Sequence, residues 1–217
     1  MFLKKTKNKQ TQINLPSASS ETEPESVWLR LLLFVLEVIA ICLIVLFILR
    51  LLVLHPYTVI GVSMYPTLEE KDEVYVNALS YAFRDPERGD IVVLIPPHDT
   101  DKFYVKRIIG LPGDKVEIRG DGQVIIYNDR YPSGISLREE YLRENYSTNG
   151  YVVEKLRDDE YFVMGDNREH SSDSRGSMQN ANAMNTGDWT LPKKNIVGKV
   201  VYRLNPLIFF RRPDYNL

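Results

Sequence analysis

The 217-residue chain holds a single cysteine, Cys42, so no disulfide can form within it and the fold must stand on packing alone. Histidine is nearly as scarce, with only three: His55, His98 and His170. His98-Asp99-Thr100-Asp101 alternates like a metal-binding run, but beside Pro96-Pro97 it reads as a polar turn. No other pattern calls for a metal, ATP or an organic cofactor. Charge of one sign is also missing: 27 Lys and Arg against 29 Asp and Glu leave a net charge of −2. A nucleic-acid binder would show a basic stripe, so that class of partner is excluded. The length suits one globular body plus extra elements.

What the chain does have is one long apolar run, Leu31 to Leu54, broken only by Glu37 and Arg50. As a helix it would extend roughly 36 Å, enough to cross a bilayer. A cleavable leader would carry a shorter run closed by small residues, whereas this one ends in His55-Pro56-Tyr57. An uncleaved anchor is the expectation. Lys4, Lys5, Lys7, Lys9 and Arg30 precede the run, and Lys71 is the first lysine or arginine after it. The positive-inside rule therefore places the N-terminus in the cytoplasm and everything past residue 54 outside. Arg50 can snorkel to the outer interface, while Glu37 has no assigned role.

The expected organisation is a disordered cytoplasmic tail over 1–27, a transmembrane anchor over 28–54 and an extracytoplasmic body over 55–217. Within the body, β-branched and aromatic runs recur between turn signals: 73–76, 91–95, 103–109, 116–118, 124–127, 161–164 and 196–202. A mainly β fold follows. Between 119 and 159 the pattern loosens around a hairpin signal, Gly120-Asp121-Gly122, and a helix-like charged piece, Ser136 to Asn145. This reads as a small inserted subdomain. Gly176 to Gly187, rich in Asn, Met and Ser, reads as a surface loop. The Leu207-Ile208-Phe209-Phe210-Arg211-Arg212 stretch suits either a membrane interface or a core strand end.

Three segments could carry chemistry. Gly61 to Leu68, GVSMYPTL, sets Ser63 between an apolar stretch and a turn, though it fits neither Gly-x-Ser-x-Gly nor Ser-x-x-Lys. Read alone, Ser63 is an ordinary turn serine. Phe103 to Asp114, FYVKRIIGLPGD, embeds Lys106 and Arg107 among apolar neighbours. As a strand it puts Tyr104, Lys106 and Ile108 on one face and Val105, Arg107 and Ile109 on the other. Burial disfavours the ammonium form, and a neutral lysine can take a proton from a serine hydroxyl. Gly165 to Arg175, GDNREHSSDSR, follows an apolar strand and gathers hydroxyl, carboxylate and guanidinium groups that could orient such an amine. His170 in that segment leaves open a triad of Ser63, His170 and Asp173 or Asp166.

SMYPTL, RGDIVV, KRIIGLPGD and MGDNREHSSDSR, in this order and behind an anchor, resemble the motif boxes of the bacterial type I signal peptidases, over roughly residues 30 to 203. The resemblance implies an antiparallel β catalytic domain in a bacterial cell-membrane serine endopeptidase that removes signal peptides from secretory precursors at small-x-small sites. It further implies Ser63 as nucleophile, Lys106 as general base, and Ser171 as the residue orienting the Lys106 amine. Ion pairs of Asp173 with Arg175 and of Asp166 with Arg107 are implied as structural. The Ser63 backbone N–H would serve the oxyanion hole; some relatives add the hydroxyl of a serine two positions earlier, where this chain has Gly61, a departure similar to the Gram-positive branch. Precursors would lie as an added strand near 56–62 and 103–105, with membrane lipids as the other partner. The rival from another class is a catalytically silent relative acting as an assembly factor, which would need neither Ser63 nor Lys106.

Overall fold

A computed structural model describes residues 24–143, 151–153, 155–176 and 189–215. The cytoplasmic tail expected before the anchor lies outside the described residues up to residue 23, as does all but the first residue of the expected loop from Gly176 to Gly187.

Helix α1 runs from Pro24 to Val53, and its Val27–Ile48 stretch of 22 residues is long and apolar enough to cross a membrane. Proline can open a helix because its missing N–H would have no intrahelical partner there. Trp28, Leu33, Phe34, Leu43 and Phe47 all stand exposed on this unit, as lipid-facing side chains would. One such helix is compatible with a single-pass membrane protein.

The body is mainly β and antiparallel. Its strands are β1 (Leu54–Thr58), β2 (Glu73–Asn77), β3 (Ile91–Leu94), β4 (Tyr104–Gly110), β5 (Lys115–Ile118) and β6 (Val124–Tyr127). They continue as β7 (Ile135–Ser136), β8 (Tyr151–Val153), β9 (Glu160–Met164), β10 (Leu191–Pro192), β11 (Ile196–Arg203) and β12 (Ile208–Phe209). The larger sheet has eight strands, ordered β1-β2-β11-β3-β4-β9-β10 with β12 on β11; the smaller has four, ordered β7-β6-β5-β8. All seven β runs read from the pattern are strands. Gly120-Asp121-Gly122 does turn β5 into β6, with Ile118 opposite Val124 and Gly122 at a φ of 89° that glycine adopts without cost.

Both faces of β3 and β9 are buried, which is why they read as continuous apolar runs. In β9, Tyr161 and Val163 join a cluster with Val92, Leu94 and Ile108, while Phe162 and Met164 join Ile109, Val116, Ile118, Val124 and Ile126 of the small-sheet core. A third cluster, with Val59, Met64, Leu68, Val74, Val76 and Val93, lies under the loop that carries Ser63.

The helix-like piece at Ser136–Asn145 is not a helix over its described part. After Ser136 the chain follows no regular element as far as Glu139, with Leu137 N–H donating to Val124 O, and then turns. Leu137 is buried at 6% exposure, the Glu139 side chain at 4%, and Tyr141 stacks inward, while Arg138 and Glu140 face solvent. Fixed partners for Glu139 and Tyr141 outweigh the modest helix propensity of a short charged stretch.

Candidate active site

Ser63 lies in the loop between β1 and β2. That loop is closed by Val59 N–H donating to Asp72 O (2.9 Å) and Lys71 N–H to Val59 O (2.9 Å). Met64 and Leu68, at 1% and 0% exposure, plug it into the core below. A serine that could have been an ordinary turn residue is thus held by buried neighbours on its C-terminal side. Gly61 has a φ of 87° and open space where a side chain would begin. A serine there would find room but a backbone conformation that L-residues rarely adopt.

Lys106 sits on β4, paired on both sides by β3 and β9, and is 3% exposed. Its Nζ donates to Ser63 Oγ at 2.8 Å and to Val105 O at 2.9 Å, with the Tyr104 ring 5.2 Å away. Burial pushes the Lys106 ammonium down to about 8, and Arg175 adds slightly; Asp173 and Asp166 act the other way.

The neighbouring Arg107 points elsewhere. It forms a bidentate pair with Asp166, Nε to Oδ1 at 2.9 Å and Nη2 to Oδ2 at 2.6 Å, and donates to Gly89 O at 3.0 Å. Thr67 Oγ1 also donates to Asp166, at 2.5 Å, and the Tyr141 ring lies 3.9 Å from the Arg107 guanidinium carbon. One strand thus carries two cations with opposite fates. Arg107 is buried but matched by a carboxylate and stays charged; Lys106 is buried against a hydroxyl and a carbonyl and holds its proton weakly.

The turn after β9 supplies the rest. Asp173, fully buried, accepts from Arg175 Nε (2.9 Å), Arg175 Nη2 (2.8 Å) and Gly165 N–H (2.9 Å). Burial alone would raise the Asp173 carboxyl, but Arg175 and Gly165 together hold it below the usual range. The Ser171 hydroxyl is buried and within no regular hydrogen bond among the described residues, yet it is close enough to Asp173 to help lower it. Ser171 also touches Gly165, whose Cα faces both Ser171 Oγ and the Ser63 carbonyl so closely that an added methyl group would collide with both. His170 is exposed; its N–H donates to Asn167 O, and nothing among the described residues joins its ring to Ser63.

Several site residues carried no assignment in the sequence reading. Arg168, 1% exposed, donates to both oxygens of Glu139 and, through Nε, to Gly165 O at 3.2 Å. Asn167 donates to Ser63 O through its N–H (3.0 Å) and to Val62 O through Nδ2 (3.1 Å). The period-two spacing of Leu137, Glu139 and Tyr141 was the available signal for that inward-facing strap. Beside Ser63 and Lys106 opens a cavity of about 590 Å³ whose walls include Tyr57, Val59, Ile60, Phe103, Tyr104 and Val105. Among the described residues no group of histidine, cysteine and carboxylates forms a metal site.

An anchor-length helix, an antiparallel β body and a buried lysine bonded to a serine beside a cleft define a hydrolase-like arrangement. Residues 31–205 match the family model described as signal peptidase, peptidase S26. The chain belongs to that family. It is 37% identical over 184 residues to signal peptidase I P of Bacillus subtilis subsp. natto, covering 81% of this chain and 87% of the relative. It is 35% identical over 179 residues to a probable signal peptidase I-1 of Synechocystis, covering 79% and 81%. Signal peptidase IB of Staphylococcus aureus (strain Mu50) is 34% identical over 190 residues, covering 80% and 89%. These similarities put the chain among the bacterial type I signal peptidases, and so among the peptidases.

Proposed function

We propose that this protein is a membrane-anchored endopeptidase that cuts signal peptides from secretory precursors by a Ser63/Lys106 mechanism. The observation that carries the reading is the 2.8 Å bond between Ser63 Oγ and a Lys106 amine buried at 3% exposure. With its pKa near 8, a useful share of Lys106 is neutral in mildly alkaline conditions. In that state Nζ takes the Ser63 proton as Oγ bonds to the scissile carbonyl carbon. The resulting oxyanion is stabilised by the Ser63 N–H, which donates to no group among the described residues. Collapse breaks the C–N bond, Lys106 passes the proton to the leaving amine, and water then releases the acyl group with Lys106 again as base. Ser171 is assigned to orient the Lys106 amine, while Asp173 with Arg175 fixes the turn that carries Ser171.

A precursor entering the 590 Å³ cleft as an extended strand along 57–60 and 103–105 would find backbone partners on both sides. The anchor's charge asymmetry puts this chemistry on the outer face of the cell membrane, where a precursor's apolar segment ends.

The test is cleavage of a precursor whose signal ends in Ala-x-Ala, by the full chain in detergent or vesicles. Ser63→Ala and Lys106→Met each abolish cleavage if the reading holds, whereas full activity in either variant removes it. If the wild type itself proves inert on every such precursor, the silent-relative reading takes its place.

A further inference from the structure

The structure assigns Asn167 as the residue that aims the Ser63 N–H, a positioning role that rests on Ser63 being the nucleophile. Two peptide planes flank Ser63, and Asn167 holds both: its Nδ2 donates to Val62 O at 3.1 Å and its own N–H donates to Ser63 O at 3.0 Å. A carbonyl can only accept, so the amide nitrogen and not the amide oxygen faces Val62. Val62 O also receives the Tyr65 N–H at 3.1 Å, which closes the turn around the nucleophile.

The geometric consequence follows from the planarity of the peptide unit. The only cis bonds are Tyr65-Pro66 and Asn205-Pro206 among the described residues, so the Val62–Ser63 unit is trans. In a trans unit the C=O and the N–H point in opposite directions. Fixing Val62 O toward Asn167 therefore fixes the Ser63 N–H away from it, where it donates to no group among the described residues. Gly61, with its φ of 87°, supplies no side-chain donor to share the load. An oxyanion site that leans on one backbone donor is the more sensitive to where that donor points.

Asn167 is itself immobilised. On one side Asp166 is gripped by Arg107 and Thr67; on the other, Arg168 is gripped by Glu139 and tied back to Gly165 O. The Asn167 carbonyl accepts the His170 N–H at 3.1 Å. Two buried ion pairs, neither touching Ser63, thus reach the nucleophile through the residue between them. None of these hydrogen bonds is made by the Lys106 side chain, so the device acts chiefly on the oxyanion donor.

Asn167→Ala and Asn167→Asp separate this role from simple packing. Aspartate has the shape of asparagine but presents oxygens to Val62 O, so it removes the donor while filling the same space. In precursor-cleavage kinetics both variants should lower kcat by roughly tenfold, below the hundredfold or more of losing a donor outright. KM should stay within about twofold, and in the uncharged Asn167→Ala variant the pH at which the rate rises should not move. Wild-type kcat in Asn167→Asp would overturn the assignment, as would a kcat loss in the uncharged Asn167→Ala variant that travels with a shifted pH limb, since that marks disturbance of Lys106. Ser63→Ala, assayed alongside, keeps the two readings apart: an active Ser63→Ala ends both, while an inert Ser63→Ala beside unaffected Asn167 variants ends this one alone.

Discussion

The two sheets of the body bury different things. The smaller sheet and its partners enclose Val116, Ile118, Val124, Ile126 and Leu137, an apolar core with Asp114 just outside its first strand. The larger sheet and the turns at its ends bury Lys106, Arg107, Asp166, Arg168, Ser171 and Asp173. Apolar burial stabilises by roughly 25 cal/mol per Å², whereas each buried ionised group costs free energy unless a partner returns it. The smaller sheet therefore rests on apolar burial, whereas the larger carries buried ion pairs that must offset their own desolvation and one lysine bonded to a hydroxyl and a carbonyl. Besides the packing of β9 against the small-sheet core, a strap joins the regions, where Glu139 and Tyr141 reach to Arg168 and Arg107.

The sharpest way to break this contrast is at the proposed reacting pair, Ser63 and Lys106. Ser63→Ala and Lys106→Met should each lower kcat by roughly a thousandfold or more. Lys106→Met should also raise the thermal midpoint near pH 7. The folded-state pKa of Lys106 lies near 8 against an unfolded value of 10.5, so the unfolded chain binds more protons between those values. Stability of the wild type then rises with pH across that window, and the full cost of burying this lysine is borne below pH 8. At roughly 1.4 kcal/mol per unit the advantage of the methionine variant is at most about 3 kcal/mol, shrinking toward pH 10.5. A midpoint difference that ignores pH would mean the Lys106 pKa is not lowered by burial.

Glu139→Ala comes next, because it leaves the Arg168 guanidinium buried without its carboxylate. A loss of about 3–5 kcal/mol in denaturant unfolding is expected, with cleavage impaired even where the fold persists. If activity per folded molecule is unchanged, the strap is not coupled to the site. Ile126→Ala sharpens the contrast from the other side. It opens a cavity in the apolar core and should cost about 2–5 kcal/mol, yet kcat and KM well below the midpoint should match wild type. Smallest of all is Arg138→Ala on the outward face of the strap, which should change stability by under about 0.5 kcal/mol.

Much of the β framework was legible before the structure, because a strand's period of two and its turn residues are local properties. β6 spans the very residues its pattern marked, and β4 shows the two faces its alternation implied, Tyr104 with Ile108 and Val105 apart. The strap was misread because Ser136–Asn145 is charged and short, and only its distant partners hold it in place. Arg168 and Asn167 stood in plain view within GDNREH but had no visible role, since Arg168's partner Glu139 lies 29 positions away and the Asn167 side chain's partner Val62 lies 105 away.

By itself the sequence determined the anchor-length apolar run, the alternating strands and the presence of a serine and a lysine in unusually apolar company. Those follow from composition and spacing along the chain. Which cation on β4 would stay charged was decided only in three dimensions: Arg107 met Asp166, and Lys106 met Ser63. Adjacent residues on a strand point to opposite sides, so a difference of one position separated a structural ion pair from a candidate base. The pKa of that base and the aim of the Ser63 N–H depend on burial and on partners brought together from remote segments, quantities that exist only once the chain has folded.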